Sequence, residues 1–166
     1  MEFVSIVMGS KSDFEIIKNC VEVFKKFHCQ YEMIISSAHR SPERTKIYVQ
    51  DAEKRGAKVF IAAAGMAAHL AGSIAAYTLK PVIGIPLDSS PLQGLDSLLS
   101  ISQMPSQIPV ATMSIGKAGA INAAYFAIQI LSLNNIELED KLIEDKTVRE
   151  KKIELDSKEI EVMIKK

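Results

Sequence analysis

The sequence contains no tryptophan, and aromatic residues make up 6% of it. Surfaces that bind single-stranded nucleic acid stack the bases on aromatic side chains, so this composition argues against such a surface. An excess of one charge is also lacking, because 20 Lys and Arg residues balance 20 Asp and Glu residues. A chain without net charge has no long-range field to attract nucleic acid or an anionic membrane. We therefore expect neither as a partner.

Cysteine is scarce, and Cys20 and Cys29 form neither a disulfide framework nor a zinc-ligand spacing. A reducing cytoplasm is therefore the expected location. No basic and then apolar leader precedes the first apolar run, so no signal peptide is predicted. Residues 59–79 lack formal charge over the length of a membrane span. Two glycines and His69 interrupt this Ala-rich run, so a buried strand, a turn and a buried helix explain it better than a membrane span.

The sequence does have a regular alternation of apolar runs and helix signals. The apolar runs predict five β-strands, at residues 3–8, 31–35, 59–64, 81–86 and 110–113. Helices are predicted to follow Ser12, with a capping box to Glu15, and to span residues 41–56, 65–78, 96–102 and 117–133. Strands that are apolar throughout indicate a parallel sheet covered on both faces. The predicted fold class is α/β: a three-layer, doubly wound, parallel five-stranded sheet in flavodoxin-like order, with a C-terminal helical extension.

The character of the chain changes after residue 133. More than half of residues 134–166 are charged, and isolated apolar residues keep a loose helical spacing. We predict one α/β domain at residues 1–133. Residues 134–166 are predicted to form a charged helical tail that packs on a neighbouring subunit.

A glycine and hydroxyl loop follows the first predicted strand, in the sequence MGSKSD at residues 8–13. Backbone N–H groups and the dipole at a helix start suit a phosphate, and Ser10 and Ser12 add hydroxyl donors. Asp13 would repel a phosphate but can accept hydrogen bonds from sugar hydroxyls. The plainer alternative is that Ser12 caps the helix and Asp13 complements its dipole. The loop matches neither a P-loop nor a dinucleotide fingerprint.

Two further polar loops also follow strands, in the sequences SSAHRSP at residues 36–42 and AGMAAHL at residues 64–70. Arg40 is suited to clamp a phosphate. His39 is suited to carry a proton, because an imidazole with a pKa of ~6.5 exchanges one near neutrality. From its Ala-rich surroundings alone, His69 is better explained as a structural histidine on a buried helix. No metal is expected, because no recognised ligand spacing is present.

Taken in order, these motifs resemble the PurE family. The resemblance covers about residues 3–131 and rests on MGSKSD, SAHR, AAHL, PVIGIP, DSLLS, QMP, IGKAGA and NAA. It implies an isomerase of purine biosynthesis that converts N5-carboxyaminoimidazole ribonucleotide to 4-carboxy-5-aminoimidazole ribonucleotide. It implies no metal, nucleotide or organic cofactor, and it implies a homo-octamer with active sites where subunits meet.

The resemblance also implies residue roles. His39 corresponds to the general acid and base, Asp13 to the ligand of the ribose hydroxyls, and Ser37 to a further residue of the same pocket. His69 and the backbone of residues 65–70 border the migrating carboxylate. The implied substrate-binding set, which includes the 5′-phosphate ligands Ser10, Ser12 and Arg40, is Ser10, Ser12, Asp13, Ser37, Arg40, Gly65, Ala67, Ala68, His69 and Leu70.

Several alternatives stay open. A second branch of the family carboxylates aminoimidazole ribonucleotide directly with CO2 and resembles SAHK in the second loop, whereas Arg40 here favours the mutase branch. Met66, Ala71 and Gln107 depart from the family pattern, which commonly has Gly, Pro and Gly there. A flavodoxin-like flavin or phospho-receiver module would need aromatic or paired acidic residues that these loops lack. A non-catalytic assembly protein is the remaining alternative.

Overall fold

The structure is a computed structural model of the protein, and it describes residues 2–164. Within these residues strand and helix alternate along the chain. The strands are β1 (Phe3–Met8), β2 (Tyr31–Ile35), β3 (Ala57–Gly65), β4 (Val82–Leu87) and β5 (Ala111–Thr112). The helices are α1 (Phe14–Phe27), α2 (Pro42–Arg55), α3 (Leu70–Ala75), α4 (Leu95–Ser102), α5 (Lys117–Ser132) and α6 (Ile136–Ile160), with a 3-10 turn at Lys11–Asp13 before α1.

The strands form one parallel sheet in the order β2-β1-β3-β4-β5. Successive side chains of a strand point to opposite faces, and β1 shows the result. Val4 and Ile6 pack with α1 and α5 on one face, whereas Val7 packs with α2 and α3 on the other. Helices therefore cover both faces, and the predicted three-layer, flavodoxin-like sheet is confirmed. This order places the carboxyl ends of β2, β1 and β3 side by side.

Two helix starts differ from the sequence prediction. The capping box predicted for Ser12 and Glu15 is wrong, because Ser10 and Asp13 make the reciprocal contacts two residues earlier. The 3-10 turn that they close was not anticipated. The third helix begins at Leu70 rather than at Gly65. The backbone between these two residues makes a turn in which Met66 has a φ of 56°, and a right-handed helix does not accommodate that angle.

Helix α6 begins at a cap in which Asn135 Oδ1 accepts a hydrogen bond of 3.2 Å from the backbone N–H of Leu138. Its first half packs on the core of its own chain through Leu138 and Leu142. Beyond that half the apolar side chains are largely exposed, by 60–82% at Val148, Ile153, Leu155 and Ile160. None of the helices formed by residues 2–164 is long and apolar enough to cross a membrane.

Candidate active site

A cleft of about 550 Å³ opens at the carboxyl edge of the sheet, where the three polar loops meet. Parallel strands end at the same edge, so neighbouring strands bring their following loops together. The cleft is lined by Gly9, Ser10, Ser12, Asp13, Ser37, Ala38, His39, Arg40, Ala64, Gly65, Met66, Ala67, His69, Leu70 and Ser89. The structure thus gathers the residues singled out from the sequence, with the exception of Ala68, which is buried and does not line the cleft.

The first loop presents a pair of hydroxyls whose positions are set by Asp13. The Asp13 carboxylate accepts hydrogen bonds from the Ser10 backbone N–H at 2.9 Å and from Ser12 Oγ at 3.3 Å. Ser12 Oγ also lies 3.0 Å from Ser10 Oγ. Burial raises the pKa of the Asp13 carboxyl, although these hydrogen bonds and the charge of Arg40 oppose the shift. Asp13 is therefore a structural part of the loop as well as a group at the cleft.

The second loop is anchored to helix α2 and to the first loop. Ser36 Oγ and Thr45 Oγ1 make a buried hydrogen bond of 2.8 Å between the end of β2 and helix α2. Within the loop the Arg40 backbone N–H donates to Ser37 Oγ at 3.2 Å, and Arg40 Nη2 joins the two loops by donating to the Gly9 carbonyl at 2.9 Å. The guanidinium of Arg40 therefore contacts the first loop and lines the same cleft as Ser10 and Ser12, so an anion in the cleft can meet both loops.

His39 and His69 are joined directly across the cleft. His39 Nε2 and His69 Nδ1 are 2.8 Å apart, and the rings meet edge to face at 82°. One nitrogen of this pair must donate and the other accept, so the tautomers of the two rings are coupled. The expectation that His69 is a structural histidine on a buried helix is wrong. The residue is exposed and lies just before α3, because the helix begins later than predicted.

The third loop is packed against the loop that follows β4. A Cβ atom on Gly65 would overlap Ser89 Oγ, so a larger residue there would force the Ser89 side chain to move. Ser89 was not singled out from the sequence. Its signal was its position after the neighbouring strand of the same sheet edge. Within residues 2–164 no three His, Cys, Asp or Glu side chains gather closely enough to bind a metal ion.

Comparison with known proteins agrees with this geometry. A sequence model of the AIR carboxylase family matches residues 3–152, which is most of the chain. The chain belongs to the AIR carboxylase family. Among its relatives is the N5-carboxyaminoimidazole ribonucleotide mutase of Saccharolobus solfataricus, which is 53% identical over 86% of this chain and 89% of that protein. The enzyme of the same name from Escherichia coli K12 is 50% identical over 84% of this chain and 82% of that protein.

Solved structures of the family have the same fold. The crystal structure of Treponema denticola PurE superposes with a TM-score of 0.88 and 27% sequence identity. The superposition covers 98% of this chain and 100% of that one. The resemblance to PurE proteins that the sequence motifs indicate is therefore confirmed.

Proposed function

We propose that this protein is an N5-carboxyaminoimidazole ribonucleotide mutase. The substrate is a ribonucleotide whose N5 carboxylate is transferred to C4 of the imidazole ring. The single observation that carries the proposal is the 2.8 Å contact between His39 and His69 in a cleft that is also lined by Ser10, Ser12 and Arg40. The relatives that carry this enzyme name are about half identical to the chain over more than four fifths of it.

The first two loops supply the binding site for the ribonucleotide in this proposal. A cleft of about 550 Å³ is of the size that encloses a small-molecule ligand. The 5′-phosphate binds to Ser10 and Ser12 and to the guanidinium of Arg40, which keeps donors beyond the one given to Gly9. The Asp13 carboxylate accepts hydrogen bonds from the ribose hydroxyls. Ser37 supports this arrangement by holding the backbone of Arg40.

The chemistry needs one proton carrier. His39, protonated, gives its proton to N5, the N5–carboxyl bond breaks, and its electron pair stays on the nitrogen as CO2 leaves. C4 then attacks the carbon of CO2 and forms the new carbon–carbon bond. The neutral His39 removes the proton from C4, which restores the aromatic ring and the starting state of the enzyme. His69 sets the tautomer of His39 through the contact between the rings.

In this scheme the rest of the rate acceleration comes from placing the imidazole ring and confining the released CO2 next to it. A released CO2 molecule that stays above the ring is recaptured in an intramolecular step rather than a bimolecular one. The backbone of residues 65–70 borders the migrating carboxylate in this scheme, and all of these residues except Ala68 line the cleft. Its small residues Gly65 and Ala67 leave room for the ring to lie against it, and Leu70 closes the apolar side.

The test is an assay of carboxylate transfer by the purified protein, with the N5-carboxylated ribonucleotide and without ATP or added metal. We expect 4-carboxy-5-aminoimidazole ribonucleotide as the product, at a rate well above the uncatalysed background. A parallel reaction supplies aminoimidazole ribonucleotide with bicarbonate. Efficient turnover in that reaction, with none from the N5-carboxylated substrate, would identify a direct carboxylase and contradict the proposal. Binding of the ribonucleotide without either reaction would identify a non-catalytic protein.

The proposal extends to assembly and location. We propose a homo-octamer in the cytoplasm, in which residues 134–166 pack in part on a neighbouring subunit. The exposed apolar side chains in the second half of α6 support this, because a stable solvated helix seldom carries them in such number. Cys20 and Cys29 are buried thiols, as a reducing compartment permits.

A further inference from the structure

Met66 lies at the cleft in a backbone conformation that is uncommon for any residue except glycine. Its φ is 56°, its side chain is 59% exposed, and it lines the cleft beside the histidine pair. Residues in this region persist where the surrounding structure imposes the conformation, and they cluster at functional sites. What Met66 adds at this position, where the family commonly has glycine, is its side chain.

The residues on either side of Met66 are held in place. Gly65 is pressed against Ser89, and the Ala67 carbonyl accepts a hydrogen bond of 2.8 Å from the His69 backbone N–H. His69 in turn contacts His39. The turn thus leads from the end of β3 to the histidine pair, and its long apolar side chain lines the same cleft as both histidines.

We infer that Met66 is the cover that keeps released CO2 above the imidazole ring. The inference rests on the proposed function. CO2 carries no charge and offers weak hydrogen-bond acceptors, so a site must retain it by enclosing it rather than by binding it. A methionine side chain is flexible and apolar and adapts to an irregular surface. With 59% of its surface exposed, the side chain has room to fold over a ribonucleotide in the cleft. Closure of this kind excludes water and suppresses loss of a reactive intermediate.

The experiment measures how much CO2 escapes in each turnover. Unlabelled N5-carboxylated ribonucleotide is converted in buffer that contains ¹³C-bicarbonate and carbonic anhydrase, and the ¹³C content of the C4-carboxylated product is determined by mass spectrometry. The label enters only where the original CO2 was lost and replaced. The variants are Met66→Gly, Met66→Asn, which also tolerates a positive φ, and Met66→Leu, which keeps an apolar side chain of similar size.

The matched control is His28→Gly. His28 also has a positive φ, of 53°, but it caps the C-terminal end of α1 and does not line the cleft. This variant makes the same backbone change away from the reaction, and we expect it to incorporate label as the unaltered protein does.

We expect Met66→Gly and Met66→Asn to incorporate several-fold more label per product formed, and Met66→Leu to resemble the unaltered protein. Equal labelling of the unaltered protein and Met66→Gly would overturn the inference, and so would a Met66→Leu variant as leaky as Met66→Gly. Failure of the proposed function has a different signature, in which the unaltered protein forms no C4-carboxylated product.

Discussion

At the scale of single residues, His39 and His69 are far apart in sequence and adjacent in the cleft, with ring nitrogens 2.8 Å apart. A contact of this kind lets one ring set the tautomer of the other. Arg40 makes a second link by donating from its guanidinium to the first loop. The three loops are therefore joined by side chains of the second loop, and predictions about His39 and Arg40 separate proton transfer from binding.

Replacing His39 by asparagine tests the proton carrier. Asparagine keeps a polar side chain of roughly similar size but does not exchange a proton near neutral pH. Positioned acid–base groups contribute ~100-fold or more to the rate, so we expect kcat to fall at least that far. Ribonucleotide binding, measured by calorimetry, should stay within about tenfold, because the phosphate ligands are untouched. A variant that keeps more than about a tenth of kcat would remove His39 from this role.

Replacing Arg40 by lysine tests phosphate recognition. A lysine supplies a point charge in place of a planar group with several donors, and it also loses the geometry of the hydrogen bond to Gly9. We expect weaker binding of the ribonucleotide and a much smaller loss for the corresponding dephosphorylated nucleoside. The two affinities are measured by calorimetry on the same preparation. Equal losses for both ligands would show that Arg40 does not read the phosphate.

At the scale of elements, the strands were predictable because each is a short apolar run, and the sheet order was predictable because five alternating strands and helices commonly wind in the flavodoxin-like order. The start of the third helix was not. Residues 66–69 are small, apolar or helix-compatible, so their pattern resembles a helix, but they form a turn in which Met66 has a φ of 56°. The local pattern therefore gave His69 a structural role, whereas the family resemblance placed it at the migrating carboxylate, and the structure has it 2.8 Å from His39.

The family resemblance indicated two positions with an unusual backbone conformation that the local sequence pattern did not reveal. It marked Met66 and Gln107 as positions where glycine is common, and both have a positive φ in this chain. Glycine adopts that conformation without strain, which gives the pattern a physical reason. The third marked position, Ala71, is buried in the first turn of α3 without any unusual backbone angle.

Helix α6 is fastened to the core by Asp145, whose side chain is 4% exposed. Its carboxylate accepts hydrogen bonds from Tyr125 at 2.9 Å and from Arg149 at 3.0 Å, and it also pairs with Lys26 of α1. Burial acts to raise the pKa of Asp145. The hydrogen bonds from Lys26 and Tyr125 and the charges of Lys26 and Arg149 outweigh it, so the pKa lies below its ordinary value.

We predict that Asp145→Ala loosens α6 without unfolding the sheet. Loss of a buried acceptor with several donors costs about 1–3 kcal/mol, and the effect should be concentrated in faster amide hydrogen exchange of α6. The control is Glu144→Ala, which removes an exposed carboxylate from the neighbouring position of the same helix. Equal exchange in both variants would show that Asp145 does not fasten the helix.

The stability that the Asp145 carboxylate gives to helix α6 depends on pH, and the lowered pKa of Asp145 decides the direction of the dependence. A carboxyl with a depressed pKa in the folded state stabilises that state above its unfolded-state pKa of ~3.9, and the effect is lost as the pH falls through the folded-state value. We therefore expect α6 to stay fastened from neutral pH down to about pH 4 and to exchange faster below it.

At the scale of the whole molecule, the tail that the sequence predicts to pack on a neighbouring subunit does carry exposed apolar side chains in the structure. Small residues of α5 contribute less, because Ala120, Ala123, Ala124 and Ala127 are buried within the monomer and Ala118 is exposed. Exposed apolar side chains lie at the second half of α6 and at Leu79 and Phe126, and a further group, Leu92, Leu95 and Leu99, lies on α4 and the loop before it. The proposed octamer therefore rests on these surfaces.

Removal of residues 151–166 tests whether the end of α6 holds the assembly together. The truncation keeps Asp145 and Arg149, and with them the contacts that fasten the first half of α6, so the fold should persist by circular dichroism. It removes Ile153, Leu155 and Ile160, which find no cover in their own chain. A full-length variant with serine at these three positions serves as the matched control for the loss of chain length.

By light scattering at micromolar concentration we expect the intact protein to have eight times the mass of one chain, and both altered proteins to form smaller assemblies with reduced turnover. An altered protein that remains an octamer would show that this segment does not pack on neighbours. An intact protein that is a fully active monomer would contradict the octamer itself, because its active site would then be complete within one chain.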